Sequence, residues 1–294
     1  PMHRLIRLFH STEVRLLRRF WESDPPDMVV SLIPQFNRAM FEAFQSVRAG
    51  APYVTIITDF ADYPPHFWLE PLPQHVIAGT EKARDQALEM GFRPETVHLV
   101  SGMILRPQFY QSQEVDRAAE RARLGLKPDV RTGLVLFGGF GSPQMTQIVR
   151  KLQPLAGSLQ LILMCGRNEK LARRLRALRS RVPLHVEGFT QEIPYFMRLA
   201  DFFIGKPGPG SISEAIAIGL PVIVECNDWT MPQERYNADW VGSRDVGVVV
   251  RSFRDILPAV DRLLEQGTLR RLRANAMAIH NRAVFEIADI LAGL

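Results

Sequence analysis

From residue 132 to residue 250 the chain alternates β-rich runs with helical patterns, and this alternation restricts the fold more than any other feature. The runs are TGLVLF (132–137), LQLILMC (159–165), PLHVEGF (183–189), DFFIG (201–205), PVIVE (221–225) and VGVVV (246–250). Helical stretches fill every gap, which is the pattern of βαβ units wound on a parallel sheet. The fold class is therefore α/β, with this half as one doubly wound domain. A less regular α/β region precedes it, with strands DMVVS (27–31), YVTIITD (53–59), QHVIAGT (74–80) and TVHLV (96–100) and helices around 12–22, 36–49 and 81–90. The charged segment 111–130 has no strand signal and suits an interdomain connection, and beyond Ser252 the chain is helical, in basic stretches such as LRRLRANAMAIHNRAV. The expected organisation is a first Rossmann-like domain over 1–115, a second over 116–270, and a C-terminal helix over 271–294 that returns to the first domain.

A doubly wound domain should open on a strand and a glycine-rich turn. This chain opens instead on PMHRLIRLFHSTEVRLLRRFW, an amphipathic basic helix, so the first domain reads as incomplete. Val14, Leu17 and Trp21 fall on one face of that helix with arginines interleaved, a pattern suited either to an anionic bilayer or to burial in a core.

The 294 residues are 46% hydrophobic, enough for a sizeable core, and the formal charge of +5 favours acidic partners such as diphosphates, anionic lipid headgroups or nucleic acid. The arginines of ARRLRALRSR (172–181) are equally a solvated helix face, and no nucleic-acid partner is expected. Cys165 and Cys226 each end an apolar run and read as reduced core thiols of a cytoplasmic protein; they cannot form a metal cluster by themselves. No apolar segment reaches the ~18 residues that span a bilayer, and the opening residues carry no signal-sequence pattern. Contact with a membrane is expected to be peripheral.

Two glycine-rich turns follow strands of the second domain. FGGFGSPQM (137–145) lacks both dinucleotide-fingerprint and P-loop spacing, but its backbone N–H groups can converge on a phosphate at a helix start. GKPGPGSISEAIAIGLPVIVE (205–225) is a second strand, loop and helix of that kind. Together they point to a ligand with a diphosphate and further polar parts. Ser211 and Glu214 fit an S-x-x-E capping box, yet a carboxylate beside a phosphate site can also accept the hydroxyls of a ribose.

The run GKPGPGSISEAIAIGLPVIV followed by PQERYNADWV (232–241) resembles the donor-binding signature of glycosyltransferase family 28, and specifically its monogalactosyldiacylglycerol synthase and processive diacylglycerol glucosyltransferase branch. MCGRN (164–168), GFTQEIPYFMRLADFFIGKPG (188–208), VTIITDF (54–60) and LRPQF (105–109) extend the resemblance from about Ser23 onward. It implies the GT-B fold, two Rossmann-like domains facing a cleft, with the nucleotide sugar on the second domain and the acceptor on the first. By the same resemblance Gly138, Gly139 and Gly141 line the diphosphate, with Gly208, Gly210 and Ser211 at the second helix start and Arg167 near the phosphates. Glu214 binds the ribose, Phe189, Thr190 and Ile193 frame the uracil, and Gln233, Glu234 and Asn237 reach the hexose. The blander reading makes these a core phenylalanine, a solvated arginine and an exposed polar helix face.

The implied reaction is inverting transfer of galactose or glucose from a UDP-hexose to diacylglycerol or a related lipid at an anionic membrane surface. Neither half contains an Asp-x-Asp pair, so no metal and no cofactor beyond the donor are expected; N–H groups, helix ends and basic side chains would stabilise the leaving group. The acceptor still needs a base. Asp59 and His66 are the candidates, although Asp59 can instead cap a turn and His66 can pack among Phe67 and Trp68. The aromatic and proline-rich segment 60–73 is open to the lipid acceptor or to a packed interdomain role. Two alternatives stand beside this: transfer of N-acetylglucosamine to a polyprenyl-linked peptidoglycan precursor, and a non-catalytic nucleotide-sugar or membrane-surface module.

Overall fold

The computed structural model describes residues 2–111 and 114–294, with side chains from Phe9 onward. Every expected run forms a strand, and both sheets are wholly parallel. The chain divides into two compact units, 1–104 with 282–294, and 105–281.

In unit 1, α1 (Met2–Ser23) precedes β1 (Val29–Ser31), α2 (Asn37–Val47), β2 (Tyr53–Ile57), β3 (His75–Ala78), α3 (Glu81–Glu89) and β4 (Val97–Leu99). The sheet order is β1-β2-β3-β4. Because side chains alternate along a strand, Ile57, Val76 and Ala78 face one way, onto Trp68, Leu69 and the alanines of α3. Val54, Ile56 and Ile77 face the other way, onto Ala283 and Ile287. Both faces of β2 and β3 are thus covered, which is why Val54, Ile56, Ile57, Val76, Ile77 and Ala78 are apolar whichever way they point. On α1, the Val14, Leu17 and Trp21 face is half-buried, and Trp21 meets Phe44 of α2 edge to face at 5.7 Å. Of the two uses open to that face, packing against the protein is the one the structure shows; among the described residues of α1 the exposed apolar side chains are Phe9, Leu16 and Phe20.

Unit 2 runs α4 (Arg117–Arg123), β5 (Arg131–Leu136), α5 (Gln144–Lys151), β6 (Leu159–Met164), α6 (Glu169–Arg176), β7 (Leu184–Glu187), α7 (Ile193–Leu199), β8 (Phe202–Gly205), α8 (Pro209–Ala217), β9 (Val222–Glu225), α9 (Pro232–Ser243), β10 (Gly247–Val250), α10 (Ile256–Leu264) and α11 (Gln266–Met277). The segment expected to connect the domains is built into this unit instead, apart from Ser112 and Gln113, which lie outside the described residues. Asp116 accepts from the N–H groups of Ala118 and Ala119 to cap α4, and Arg121 then binds the carbonyls of Leu199, Pro128 and Val130. The unit boundary consequently falls at 104/105 rather than 115/116.

The returning helix is α12 (Ala283–Ala292), shorter than the 271–294 segment expected, because Leu272 and Ala276 of α11 are buried with unit 2. Ser101 fastens the return: its N–H donates to Glu286 at 2.7 Å, and its hydroxyl accepts from the Arg282 N–H at 2.7 Å.

The sheet order in unit 2, β10-β9-β8-β5-β6-β7, places the first strand beside the fourth. Successive crossovers run outward on one side of β5 and then on the other. The loops after β5 and β8 therefore diverge and leave a crevice at the C-terminal ends of those two strands.

Candidate donor-nucleotide site

The two glycine-rich turns meet at that crevice. Leu136, the last residue of β5, pairs with Gly205, the last of β8, so Gly138 and Lys206 begin adjacent loops. The first loop needs left-handed backbone at Gly138 (φ +70°) and Gly141 (φ +58°), which explains glycine at both. A neighbouring turn interlocks with it: the Arg167 N–H donates to the Gly139 carbonyl at 2.8 Å, and a Cβ on Gly166 would stand 2.2 Å from that oxygen. Arg167 then reaches over the ring of Phe189, 4.7 Å from guanidinium to centroid. Phe189 is 58% exposed, so it is an open aromatic platform rather than a core residue. Thr190 turns its hydroxyl back to accept from the Glu192 N–H, and the half-buried Ile193 opens α7.

Of the two readings of Ser211 and Glu214, the second loop does not form the capping box. α8 starts at Pro209 with Gly208 as its N-cap, and no side chain caps it. Proline's fixed φ suits the first helical position, so the helix begins earlier than a serine cap at Ser211 would allow. Gly210 and Ser211 lie in the first turn, whose N–H groups have no carbonyl one turn behind them, and Glu214 stands a turn further on. Freed from capping, Glu214 is half-buried; burial pushes its carboxyl up to about 7, with Arg106 pulling the other way. Arg106 was not among the candidates, although it lies in the quoted LRPQF segment.

α9 closes the site, though with roles other than simple exposure. Glu234 is only 6% exposed and accepts from the Lys206 ammonium at 2.6 Å. Asn237 is wholly buried, and its amide N–H donates to the Pro207 carbonyl at 2.8 Å. Its Oδ1 is buried without a partner among the described residues. Asn237 thus holds the second loop in place, where an exposed polar helix face had been the blander expectation. The Gln233 amide N–H donates to the Met231 sulfur at 3.5 Å. Lys206 is a further residue that motif reading passed over; its partner is 28 positions away in sequence, beyond any local spacing rule. Cys165 is buried and its thiol pushed up to about 11, mainly by burial; Cys226 is half-buried and also raised.

The expected bases lie in unit 1, in the loop after β2. Asp59 is nearly buried and accepts from the Trp68 indole N–H at 2.8 Å, so its carboxylate anchors the loop. His66 is exposed rather than packed among Phe67 and Trp68, and its backbone is left-handed (φ +64°). Asp62, which sequence reading did not single out, shapes this turn by accepting from the N–H groups of His66 and Trp68; burial raises its carboxyl against those hydrogen bonds. Among the described residues no group of His, Cys, Asp or Glu is arranged to hold a metal ion.

The sequence pattern of the glycosyltransferase family 28 C-terminal domain matches residues 134–290, more than half of the chain. The chain belongs to glycosyltransferase family 28. Among family relatives it is 30% identical over 277 residues to a probable monogalactosyldiacylglycerol synthase 2 of Oryza sativa subsp. japonica, with 89% of this chain and 57% of that protein covered. It is 28% identical over 285 residues to the processive diacylglycerol beta-glucosyltransferase of Bacillus subtilis, covering 90% of this chain and 69% of that one. The chain thus spans little more than half the length of the rice proteins it matches. Among solved structures, MurG of Acinetobacter baumannii superposes with a TM-score of 0.71 at 13% identity, over 96% of this chain and 77% of that one. Anabaena HepE in complex with UDP superposes with a TM-score of 0.65 at 17% identity, over 96% and 82%. The architecture is GT-B, and every residue named at the crevice of the two glycine-rich loops, with Arg106, belongs to unit 2.

Proposed function

We propose that this family 28 chain transfers a hexose from a UDP-sugar to diacylglycerol or a closely related lipid, with inversion and without a metal. The observation that carries the reading is the meeting of two glycine-rich loops at the switch point of unit 2, with an uncapped helix start and a poised carboxylate beside them. The α8 N-terminus and the Gly138–Gly141 loop suit a diphosphate, Glu214 the ribose diol, and Phe189 with the backbone at Thr190 and Ile193 the uracil. Gln233 and Glu234 suit the hexose, with Lys206 and Arg167 adding positive charge for the departing diphosphate. The names of the rice and Bacillus relatives point to diacylglycerol as acceptor, and HepE was crystallised with UDP-glucose as well as UDP.

His66 is the base this reading favours. It is exposed beyond a strand end, and its left-handed backbone is a conformation that costs free energy and persists where surrounding structure enforces it. Phe9, Leu16 and Phe20, with the exposed Arg15 and Arg19 on the same helix, suit peripheral contact with an anionic membrane. Among the described residues no helix is long and apolar enough to cross one.

The test is transfer of label from UDP-galactose or UDP-glucose to diacylglycerol vesicles. Labelled glycolipid formed in the presence of a chelator is the expected product. A chain that binds UDP but yields no glycolipid with either sugar would remove the transferase half of the reading.

A further inference from the structure

The segments at the C-terminal edge of the unit 1 sheet carry no lysine or arginine. Because the sheet is parallel, the segments that follow β1, β2, β3 and β4 all leave from this one edge. They are 32–36, 58–74, 79–80 and 100–104, and they lack cationic side chains in a chain that holds 36 lysines and arginines. Of the cations that adjoin them, Arg38 is paired with Glu70 at 2.8 Å and stands 3.9 Å from Glu42. Arg282, whose N–H meets Ser101, lies over its own Phe285 ring, and Lys82 belongs to α3.

The first of these segments presents large apolar side chains in a fixed conformation. Leu32 is 47% exposed, Ile33 52% and Phe36 40%. The Ser31 hydroxyl accepts from the Ile33 N–H at 3.4 Å, and the Gln35 N–H donates to the Phe67 carbonyl at 2.8 Å. Asn37, wholly buried, continues the seam: its amide N–H donates to the Trp68 carbonyl and its Oδ1 accepts from the Tyr53 hydroxyl, both at 3.0 Å. The apolar segment is thereby stitched to the turn that presents His66. Left-handed Gln35 (φ +71°) supplies the donor of the bond to Phe67, and left-handed His66 (φ +64°) immediately precedes its acceptor. Three large apolar side chains exposed within five residues of a braced loop mark an interaction surface.

The same segment is continuous with the exposed apolar side chains of α1. His10, next to Phe9, places Nε2 2.7 Å from Glu42 of α2, and Arg38 links Glu42 back to the first turn of α2, which Phe36 caps. A lipid held against α1 would thus reach Leu32, Ile33 and Phe36 before it reached His66.

We propose that Leu32, Ile33 and Phe36 form an acyl-chain platform for the acceptor, on which an uncharged acylglycerol lies with its free hydroxyl at the His66 turn. This deepens the lipid-transferase reading and rests on it for the direction of the hydroxyl. Asp59 and Asp62 disfavour a phosphate or diphosphate headgroup, and no lysine or arginine of these segments offsets them, so the edge selects a neutral lipid.

The experiment uses a photoactivatable diacylglycerol, with a diazirine in one acyl chain, in phosphatidylcholine vesicles, and maps the labelled peptides of the wild-type chain and of a Leu32→Gln/Ile33→Gln variant. Both positions are half exposed, so the variant should fold with little change in stability. Expected is label on residues 32–36 that excess dioleoylglycerol displaces and phosphatidic acid does not, and that the variant loses. In the transfer assay the variant should raise KM for dioleoylglycerol about tenfold, with kcat and UDP affinity unchanged. Label confined to α1, label displaced equally by phosphatidic acid, or a variant with wild-type label and KM overturns the platform while leaving the transferase reading intact. Specific label on 32–36 without any transfer retains the platform as a neutral-lipid surface and removes the transferase reading instead.

Discussion

Glu214 couples the stability of the protein to its proposed chemistry. Its carboxyl titrates at about 7 instead of 4.5, because burial disfavours the charge more than Arg106 favours it. A raised folded-state pKa means that the native chain holds this proton more tightly than the unfolded chain does. The cost is absent below about 4.5, grows between there and about 7, and is complete above; stability falls as pH rises. The difference corresponds to about 3 kcal/mol at most, and about 2 kcal/mol once the partial exposure of Glu214 is allowed for. Glu214→Gln retains the shape and removes the charge. It should therefore unfold in urea about 2 kcal/mol later than wild type near pH 8 and nearly together with it near pH 5. UDP binding should respond inversely: wild-type affinity falls up to about tenfold per pH unit below 7, as ribose hydroxyls lose their carboxylate, whereas Glu214→Gln binds weakly with no such slope. Equal stabilities near pH 8, or a wild-type UDP affinity that is flat between about pH 6 and 8, would refute the reasoning.

Other substitutions separate architecture from chemistry. Lys206→Met leaves the Glu234 carboxylate buried without its partner and should cost about 1–2 kcal/mol in urea unfolding, less than a fully buried pair because the ammonium is half exposed. Gly166→Ala places a methyl group against the Gly139 carbonyl at a positive φ, so it should lower the unfolding midpoint and abolish UDP binding together. Asp59→Ala deprives the buried Trp68 indole of its acceptor and should cost about 1–3 kcal/mol, read by denaturant unfolding. His66→Ala should change stability by less than about 0.5 kcal/mol but reduce lipid transfer about 100-fold or more, with UDP affinity unchanged.

The alternation of apolar runs and helices made the strands of both units legible, because the inner strands β2, β5, β6 and β8 are buried on both faces and read as largely apolar runs. Strand order was not legible: nothing in TGLVLF or DFFIG announces that β5 and β8 are neighbours, yet that adjacency makes two weak glycine-rich motifs into one crevice. The capping box over Ser211 and Glu214 failed because proline at 209 provides its own helix start, a local rule overriding another. Segment 111–130 looked like a linker because its charges suggested exposure; Arg121 is nevertheless buried, which is possible only because Leu199, Pro128, Val130 and Asp201 accept its N–H groups. Likewise Asn237 and Glu234 could be placed on α9 from the sequence, but their inward hydrogen bonds to the second loop depend on a partner strand far along the chain.

The most direct test of the account is calorimetric titration of this chain with UDP, with Glu214→Ala as control. Wild-type binding that the substitution weakens by about 1–3 kcal/mol, the scale for hydrogen bonds to a charged group, is the expected result. A folded wild-type chain that binds no UDP would contradict it.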